Sequence, residues 1–293
     1  MKQSLFPLTD PILISKKVTV MKISFWLAVL AVLTAGFFCL IFLALKPKAP
    51  GLPPLFSKGS TPKDNLLPSA KATEKKVPIL MYHHIRQSQA NDNKIEKGLD
   101  VSPNSFEAQM KYLSQKGYQT ILLKELFTHQ GGRAVVITFD DGYKDVIEQG
   151  FDILQKYHFK AVVFIIVDKV GQPGYLTWED VARLKSAGWE IGSHTLTHPD
   201  LTKLNKEKAK KEIQESKTVL ENRLHAPVVS FSYPAGRFNQ RIVTLVQQAG
   251  YQEAVTTRFA PEEKSQERYQ LPRVRVSGSD SLASFTKKLS LFK

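Results

Sequence analysis

The sequence predicts an α/β domain built on a parallel sheet or barrel, tethered to one long apolar segment. Three observations predict it. After Val77, short β-branched runs alternate with stretches carrying apolar residues at helical spacing, the pattern of strand–helix–strand units. Residues 23–45 form a run of 23 residues without one charge. Between the two, residues 46–76 are rich in Pro, Ser, Gly and Lys and lack any apolar period.

Residues 1–22 make a short tail ending in Lys16, Lys17 and Lys22, and Met21 offers an alternative start that would only shorten it. As a helix, residues 23–45 rise about 1.5 Å each and reach roughly 35 Å, enough to cross about 30 Å of hydrocarbon with some tilt. A secretory signal has a shorter apolar region, roughly 7 to 15 residues, and a small-x-small cleavage site; this run ends in Leu45-Lys46-Pro47 and is expected to remain as an anchor. No second span returns the chain, so a single-pass cell-membrane protein with its domain outside the cytoplasm is expected. Residues 46–76 read as a solvated, proline-stiffened tether, and residues 77–293 as the domain.

Strands are expected at 78–82, 134–139, 161–167, 190–193, 228–233, 253–257 and 270–276, and helices at 105–115, 144–157, 178–187, 206–224 and 240–249. Ser102-Pro103 and Thr177 mark helix starts, and Gly188 and Gly250 helix ends. The Lys- and Glu-rich stretch 201–224 reads as a solvated helix face.

The net charge is +14, of which +8 lies in residues 1–22 and 46–77 and +6 in 78–293. A juxtamembrane excess suits anionic lipid or wall polymer, and no nucleic-acid motif accompanies it. The one cysteine, Cys39, lies inside the apolar run, which excludes an intramolecular disulfide and a cysteine metal site.

Two segments carry chemistry. An apolar strand ends in Thr138-Phe139-Asp140-Asp141-Gly142, where adjacent negative charges repel unless a cation or proton intervenes. A second strand ends in His194-Thr195-Leu196-Thr197-His198, and a helical turn there would set both imidazoles on one face. Together they supply one carboxylate and two imidazoles for an open metal site. The other carboxylate is left as a base for a metal-activated water attacking an amide. Spacing alone does not say which aspartate does which.

TFDDG followed by HTLTH resembles the polysaccharide deacetylase family, also called the NodB-homology or carbohydrate esterase 4 family, over roughly residues 77–276. The resemblance implies a distorted (β/α) barrel and hydrolysis of N-acetyl groups, a carbon–nitrogen bond that is not a peptide bond. It also implies Asp140 as general base, and Asp141, His194 and His198 as ligands of one divalent ion. Zinc suits that donor set, as do cobalt, nickel or iron. The family's third motif is Arg-x-Pro; here Ser232-Tyr233-Pro234-Ala235 keeps the proline and the Ala235 N–H as oxyanion donor, but places Ser232 where the arginine would hold the base. Arg273 is the candidate substitute, with a plain surface-strand role as its alternative. The family's C-terminal histidine is also missing. The segment Pro78-Ile79-Leu80-Met81-Tyr82-His83-His84 resembles the opening strand of the poly-N-acetylglucosamine deacetylase branch, so His83 is the candidate acid, with His84 as runner-up. Tyr143, Tyr233 and Pro234 adjoin the motifs as candidate groove residues.

The expected function is metal-dependent N-deacetylation of an extracytoplasmic amino-sugar polymer: poly-N-acetylglucosamine, peptidoglycan or a chitin-like chain. The alternatives are a silent glycan-binding wall protein and a metal amidase on another N-acyl substrate. Oligomeric state is not legible.

Overall fold

The computed structural model describes residues 77–261 and 267–292. The expected tail, anchor and tether lie outside these residues. Among the described residues no helix is long and apolar enough to cross a membrane.

Ten strands carry the fold: β1 (Ile79–Tyr82), β2 (His84–Ile85), β3 (Asp100–Val101), β4 (Tyr118–Thr120), β5 (Arg133–Phe139), β6 (Val162–Ile165), β7 (Glu190–Ser193), β8 (Ser230–Ser232), β9 (Glu253–Val255) and β10 (Val274–Arg275). Eight form one parallel sheet in the order β10-β1-β5-β6-β7-β8-β9, with β4 paired to the start of β5. Past β9 the chain doubles back. Leu271 bridges beside Val255 and the Arg273 N–H donates to the Arg258 carbonyl at 2.8 Å, before β10 pairs with β1. This segment carries the curled sheet round towards its own first strand, the barrel-like (β/α) arrangement of the expected class.

Side chains alternate across the strands with period 2. Ile79, Ala134, Val136, Val162, Phe164, Val255 and Leu271 make an inner apolar cluster. Strand residues of the opposite parity, among them Leu80, Ile137, Phe139, Val163, Ile191, Phe231 and Val274, join the larger cluster with the helices. Both faces are buried, which is why these strands read as near-continuous apolar runs rather than alternating ones.

The helices are α1 (Lys94–Leu99), α2 (Pro103–Gln115), α3 (Phe151–Lys156), α4 (Trp178–Ser186), α5 (Lys206–Leu224), α6 (Gln240–Gln248) and α7 (Leu282–Ser290). Ser102 caps α2, its hydroxyl accepting from Ser105 N–H at 3.2 Å with Pro103 in the first turn; Thr177 and Asp180 form a capping box on α4. Gly188 (φ +84°) and Gly250 (φ +81°) take the left-handed conformation that stops α4 and α6. On α5, Ala209, Ile213, Leu220 and Leu224 are buried.

Two expectations change. The helix expected over 144–157 begins as a turn and a π-helical segment, Val146–Gly150, and becomes α-helical only at Phe151. Its entry is anchored by Asp145, which accepts from Ile85 N–H at 2.7 Å, and Gly150 packs so closely on Ile85 that an added Cβ would lie 3.3 Å from it. The β2–β3 pair, α1, β4 and α7 were not expected. The strands are two or three residues long, and α7 buries only Phe285 and Leu289 against the body, with Lys288 donating to the Arg275 carbonyl at 2.8 Å.

At the opposite end of the barrel from the strand C-termini, Glu190, Ser230 and Glu253 begin β7, β8 and β9 and are all buried. The Ser230 hydroxyl sits between the two carboxylates, touching Glu190 Oε1 and lying 3.1 Å from Glu253 Oε1. Lys124 N–H donates to Glu190 at 3.1 Å and Arg268 to Glu253 at 3.2 Å. One hydroxyl proton cannot serve both acids, so a proton is retained: burial first, then the Glu190 charge, raise Glu253 from 4.5 to about 7. The folded state thus binds this proton more tightly than the unfolded chain. The resulting stability is complete below about pH 4.5 and is lost as pH rises through about 7. Thermal unfolding at pH 5 and pH 8 will show the wild-type Tm falling by about 3–6 °C more than that of Glu253→Gln, which lacks the carboxyl at 253 and keeps only that of Glu190. Equal falls in both proteins would contradict the raised Glu253 pKa.

Candidate active site

The C-terminal ends of the parallel strands meet at one edge. There Asp140 follows directly on β5, its N–H donating to the Tyr82 carbonyl at 3.0 Å, on the same inward face as Thr138. A regular strand would send the next side chain outward. Instead Asp141 (φ +70°) and Gly142 (φ +77°) are left-handed, and Asp141 turns back to the same edge.

From β7, His194 donates its N–H to the Ile165 carbonyl at 2.8 Å. The turn that follows is not the helical one expected: Thr195 (φ +69°) and His198 (φ +63°) are both left-handed. Thr195 Oγ1 accepts from His198 N–H at 2.9 Å, and Glu212 on α5 accepts from the Leu196 and Thr197 N–H groups, each at 3.0 Å. The loop is thus stapled to a helix whose charged residues read as mere solvated face. Sequence offered no signal for Glu212, since the contact spans two elements.

The result is a compact donor set. Asp141 Oδ1 lies 3.4 Å from His194 Nε2 and 3.6 Å from His198 Nε2, and one ligand atom from each residue lies within 4.8 Å of the others. Bonds of about 2.0–2.1 Å to a tetrahedral ion put ligand atoms roughly 3.3 Å apart, so the two shorter separations fit a divalent cation. His194 Nδ1 donates to the Ser232 carbonyl at 2.7 Å, which leaves Nε2 free for a metal. Burial lowers the His194 pKa, but Asp141 and Asp140 outweigh it and the net shift is upward.

Beside this set lies a buried ion pair. Arg273 Nη1 and Nη2 donate to Asp140 Oδ1 and Oδ2 at 2.8 and 2.6 Å. Nη1 also donates to Thr138 Oγ1 at 3.0 Å, Nη2 to Ser232 Oγ at 3.2 Å, and Nε to the Thr256 carbonyl at 2.8 Å. All five guanidinium N–H groups are satisfied. Burial pushes the Asp140 carboxyl up, yet the arginine outweighs it and holds the group well below the usual carboxylate range. Asp140 is therefore ionised. Ser232, at the position of the family's arginine, is an acceptor for Arg273.

His83 Nε2 stands 4.0 Å from Asp140 Oδ2, and burial takes its pKa down to about 4 despite Asp140 and Asp141. His84 is engaged elsewhere: its Nδ1 meets Asp145 at 2.6 Å and its ring stacks on Tyr143 at 3.6 Å. Tyr143 is half-buried beside Asp141, and burial followed by that charge raises its pKa. Ala235 is exposed in a left-handed conformation (φ +53°) on the turn after buried Pro234, and its N–H has no acceptor among the described residues. Tyr233 departs from its expected place in the groove. Its side chain is fully buried, with the hydroxyl donating to the Tyr269 carbonyl at 3.0 Å and the ring stacked on Phe238. Pro234 likewise offers a buried ring rather than a groove surface.

The family model described as polysaccharide deacetylase matches residues 128–254, which include both motifs. A Bacillus subtilis protein named as a polysaccharide deacetylase, YxkH, is 37% identical over 221 residues, covering 73% of this chain and 76% of the relative. A poly-β-1,6-N-acetyl-D-glucosamine N-deacetylase of Staphylococcus aureus is 27% identical over 238 residues, 71% of this chain and 81% of the relative. Among solved structures, the Streptococcus pyogenes deacetylase PplD, in complex with acetate, superposes with a TM-score of 0.67 at 27% identity, over 73% of this chain and 97% of that one. Bacillus anthracis BA0330, named as a polysaccharide deacetylase, gives 0.65 at 33% identity, over 73% of this chain and 68% of that one. Identity of this extent, with the curled parallel sheet and both motifs converging at one edge, makes the chain a hydrolase of the polysaccharide deacetylase family.

Proposed function

We propose that this protein removes N-acetyl groups from an extracytoplasmic amino-sugar polymer, using a divalent ion, zinc by preference, held by Asp141, His194 and His198. The observation that carries the proposal is the fork of Arg273 on Asp140, 2.8 and 2.6 Å, beside a donor triad within 4.8 Å. A base held ionised and oriented next to a metal triad is the equipment of metal-assisted amide hydrolysis. When bound, the ion supplies Lewis-acid polarisation of the acetamide and a more acidic water.

Asp140, fixed by its two hydrogen bonds, takes a proton from the attacking water. The Ala235 N–H donates to the carbonyl oxygen as it gains charge. His83 is neutral at pH 7 and close to Asp140; it accepts the proton collected there and delivers it to the leaving nitrogen. The amide C–N bond breaks, and the products are acetate and a free amino sugar. Tyr143 closes one side of the cleft. An anchor at 23–45 and a tether at 46–76 would hold the 77–293 domain at the outer membrane face, within reach of poly-N-acetylglucosamine or peptidoglycan. A silent binding relic is favoured by the missing third-motif arginine and C-terminal histidine; Arg273 on Asp140 speaks against the first and His83 beside Asp140 against the second.

Acetate release from N-acetylglucosamine oligomers, measured beside metal content, tests the assignment. Asp141→Asn and His194→Ala are expected to lose metal and activity together, whereas Asp140→Asn keeps metal and loses activity by at least about 100-fold. Turnover retained in all three would end the proposal. Arg273→Lys keeps a charge but not the planar fork, and its kcat is expected to drop by about 10- to 100-fold with metal content unchanged. A wild-type kcat in that variant would show that Asp140 needs no fork.

A further inference from the structure

β10 brings a second arginine to the same edge. Val274 and Val276 both lie in the outer cluster with the helices, so Arg275 between them shares the inward parity of Arg273. The register pairs it with Met81, two residues before His83. Lying two residues nearer the C-terminal edge than Arg273, it emerges from the buried layer and is exposed. Its charge acts on His83 and in turn feels Asp140, which places the guanidinium within the electrostatic reach of the site.

The two arginines differ in how they are satisfied. Arg273 uses all five N–H groups, whereas the Arg275 side chain has no hydrogen-bond or ion-pair partner among the described residues. Nearby acids are already committed. Both Asp140 oxygens belong to Arg273, Asp141 faces the two imidazoles, and Asp280 on the loop before α7 takes Lys288 and the Ser277 N–H. Partial burial and then the charge of Arg273 lower the Arg275 pKa, the reverse of Arg86, whose bonded carboxylate Asp100 raises it. A cation at the catalytic edge, beside a second cation and without a side-chain partner among the described residues, calls for an anion from outside the chain.

We propose that Arg275 is an anion subsite, and that the preferred substrate carries a carboxylate or phosphate on the sugar bearing the acetamide or on its neighbour. The inference rests on the deacetylase function proposed above and narrows its substrate class. The planar fork suits either anion, and these are the groups that separate an acidic wall glycan from a neutral N-acetylglucosamine polymer.

The test uses full-length, metal-loaded protein in detergent with three oligosaccharides of equal length: a neutral N-acetylglucosamine oligomer, a peptidoglycan-type oligomer bearing lactyl carboxylates, and an N-acetylglucosamine oligomer bearing a phosphate. Acetate release and calorimetric Kd are measured for wild type, Arg275→Gln and Arg275→Lys. Wild type is expected to favour one anionic oligomer, and which one it favours identifies the anion. In Arg275→Gln the anionic-to-neutral ratio of kcat/KM falls by about tenfold, mainly through KM, with partial rescue in Arg275→Lys. An unchanged ratio, or a wild-type preference for the neutral oligomer, overturns the subsite while leaving the deacetylase intact. If no oligomer releases acetate, the deacetylase reading falls, and the subsite is then judged on Kd alone: selective loss of anionic binding in Arg275→Gln upholds it, and equal binding refutes it.

Discussion

The buried pair of Arg273 with Asp140 is the constraint on which the rest of the site is built. Two charges removed from water cost several kcal/mol each unless their partners are complete, and here they are complete. The carboxylate receives both arms of the fork, and the three remaining N–H groups go to Thr138, Ser232 and the Thr256 carbonyl. The acceptors come from β5, β8 and the end of β9, so the guanidinium locks the walls of the barrel together where the chemistry is proposed. Ser232 makes this possible by being small. A long side chain there would compete for the volume the guanidinium occupies.

The edge above the pair is held in unfavourable backbone conformations. Asp141, Thr195, His198 and Ala235 all have positive φ without being glycine, each costing of order 1–3 kcal/mol. All four belong to the two motif loops or to the turn after β8. Such strain persists because neighbours over-determine it: Glu212 grips one loop through two N–H groups, and the Ser232 carbonyl fixes His194. The sheet is divided by function along its strands. Its N-terminal end buries Glu190 and Glu253 on either side of the Ser230 hydroxyl, while its C-terminal end gathers the donors.

Much of this was legible in residue patterns, and what was not has a common cause. Strand periodicity and helix caps depend on neighbours within a few residues, so Ser102, Thr177, Gly188 and Gly250 marked real boundaries. The Asp-Asp-Gly and His-x-x-x-His segments announced a donor set for the same reason. Where a local rule fails, a tertiary contact overrules it. A helical turn would have aligned His194 and His198, but left-handed Thr195 and His198 do so instead, in a loop stapled to α5 through Leu196 and Thr197. Tyr233 sat beside a motif yet faces the core, because the inward positions of β8 are Ser230 and Ser232.

By itself, the sequence determined the parallel α/β architecture and the kinds of ligand atoms available, because periodicity and side-chain chemistry are local properties. Only the tertiary structure decided which groups meet. Asp140 and Arg273 stand 133 positions apart, and their pairing follows from the return of β10 to the first strand of the curled sheet. The same return leaves Arg275 exposed at that edge without a side-chain partner among the described residues, because the acids within reach had already been taken by nearer cations and N–H groups.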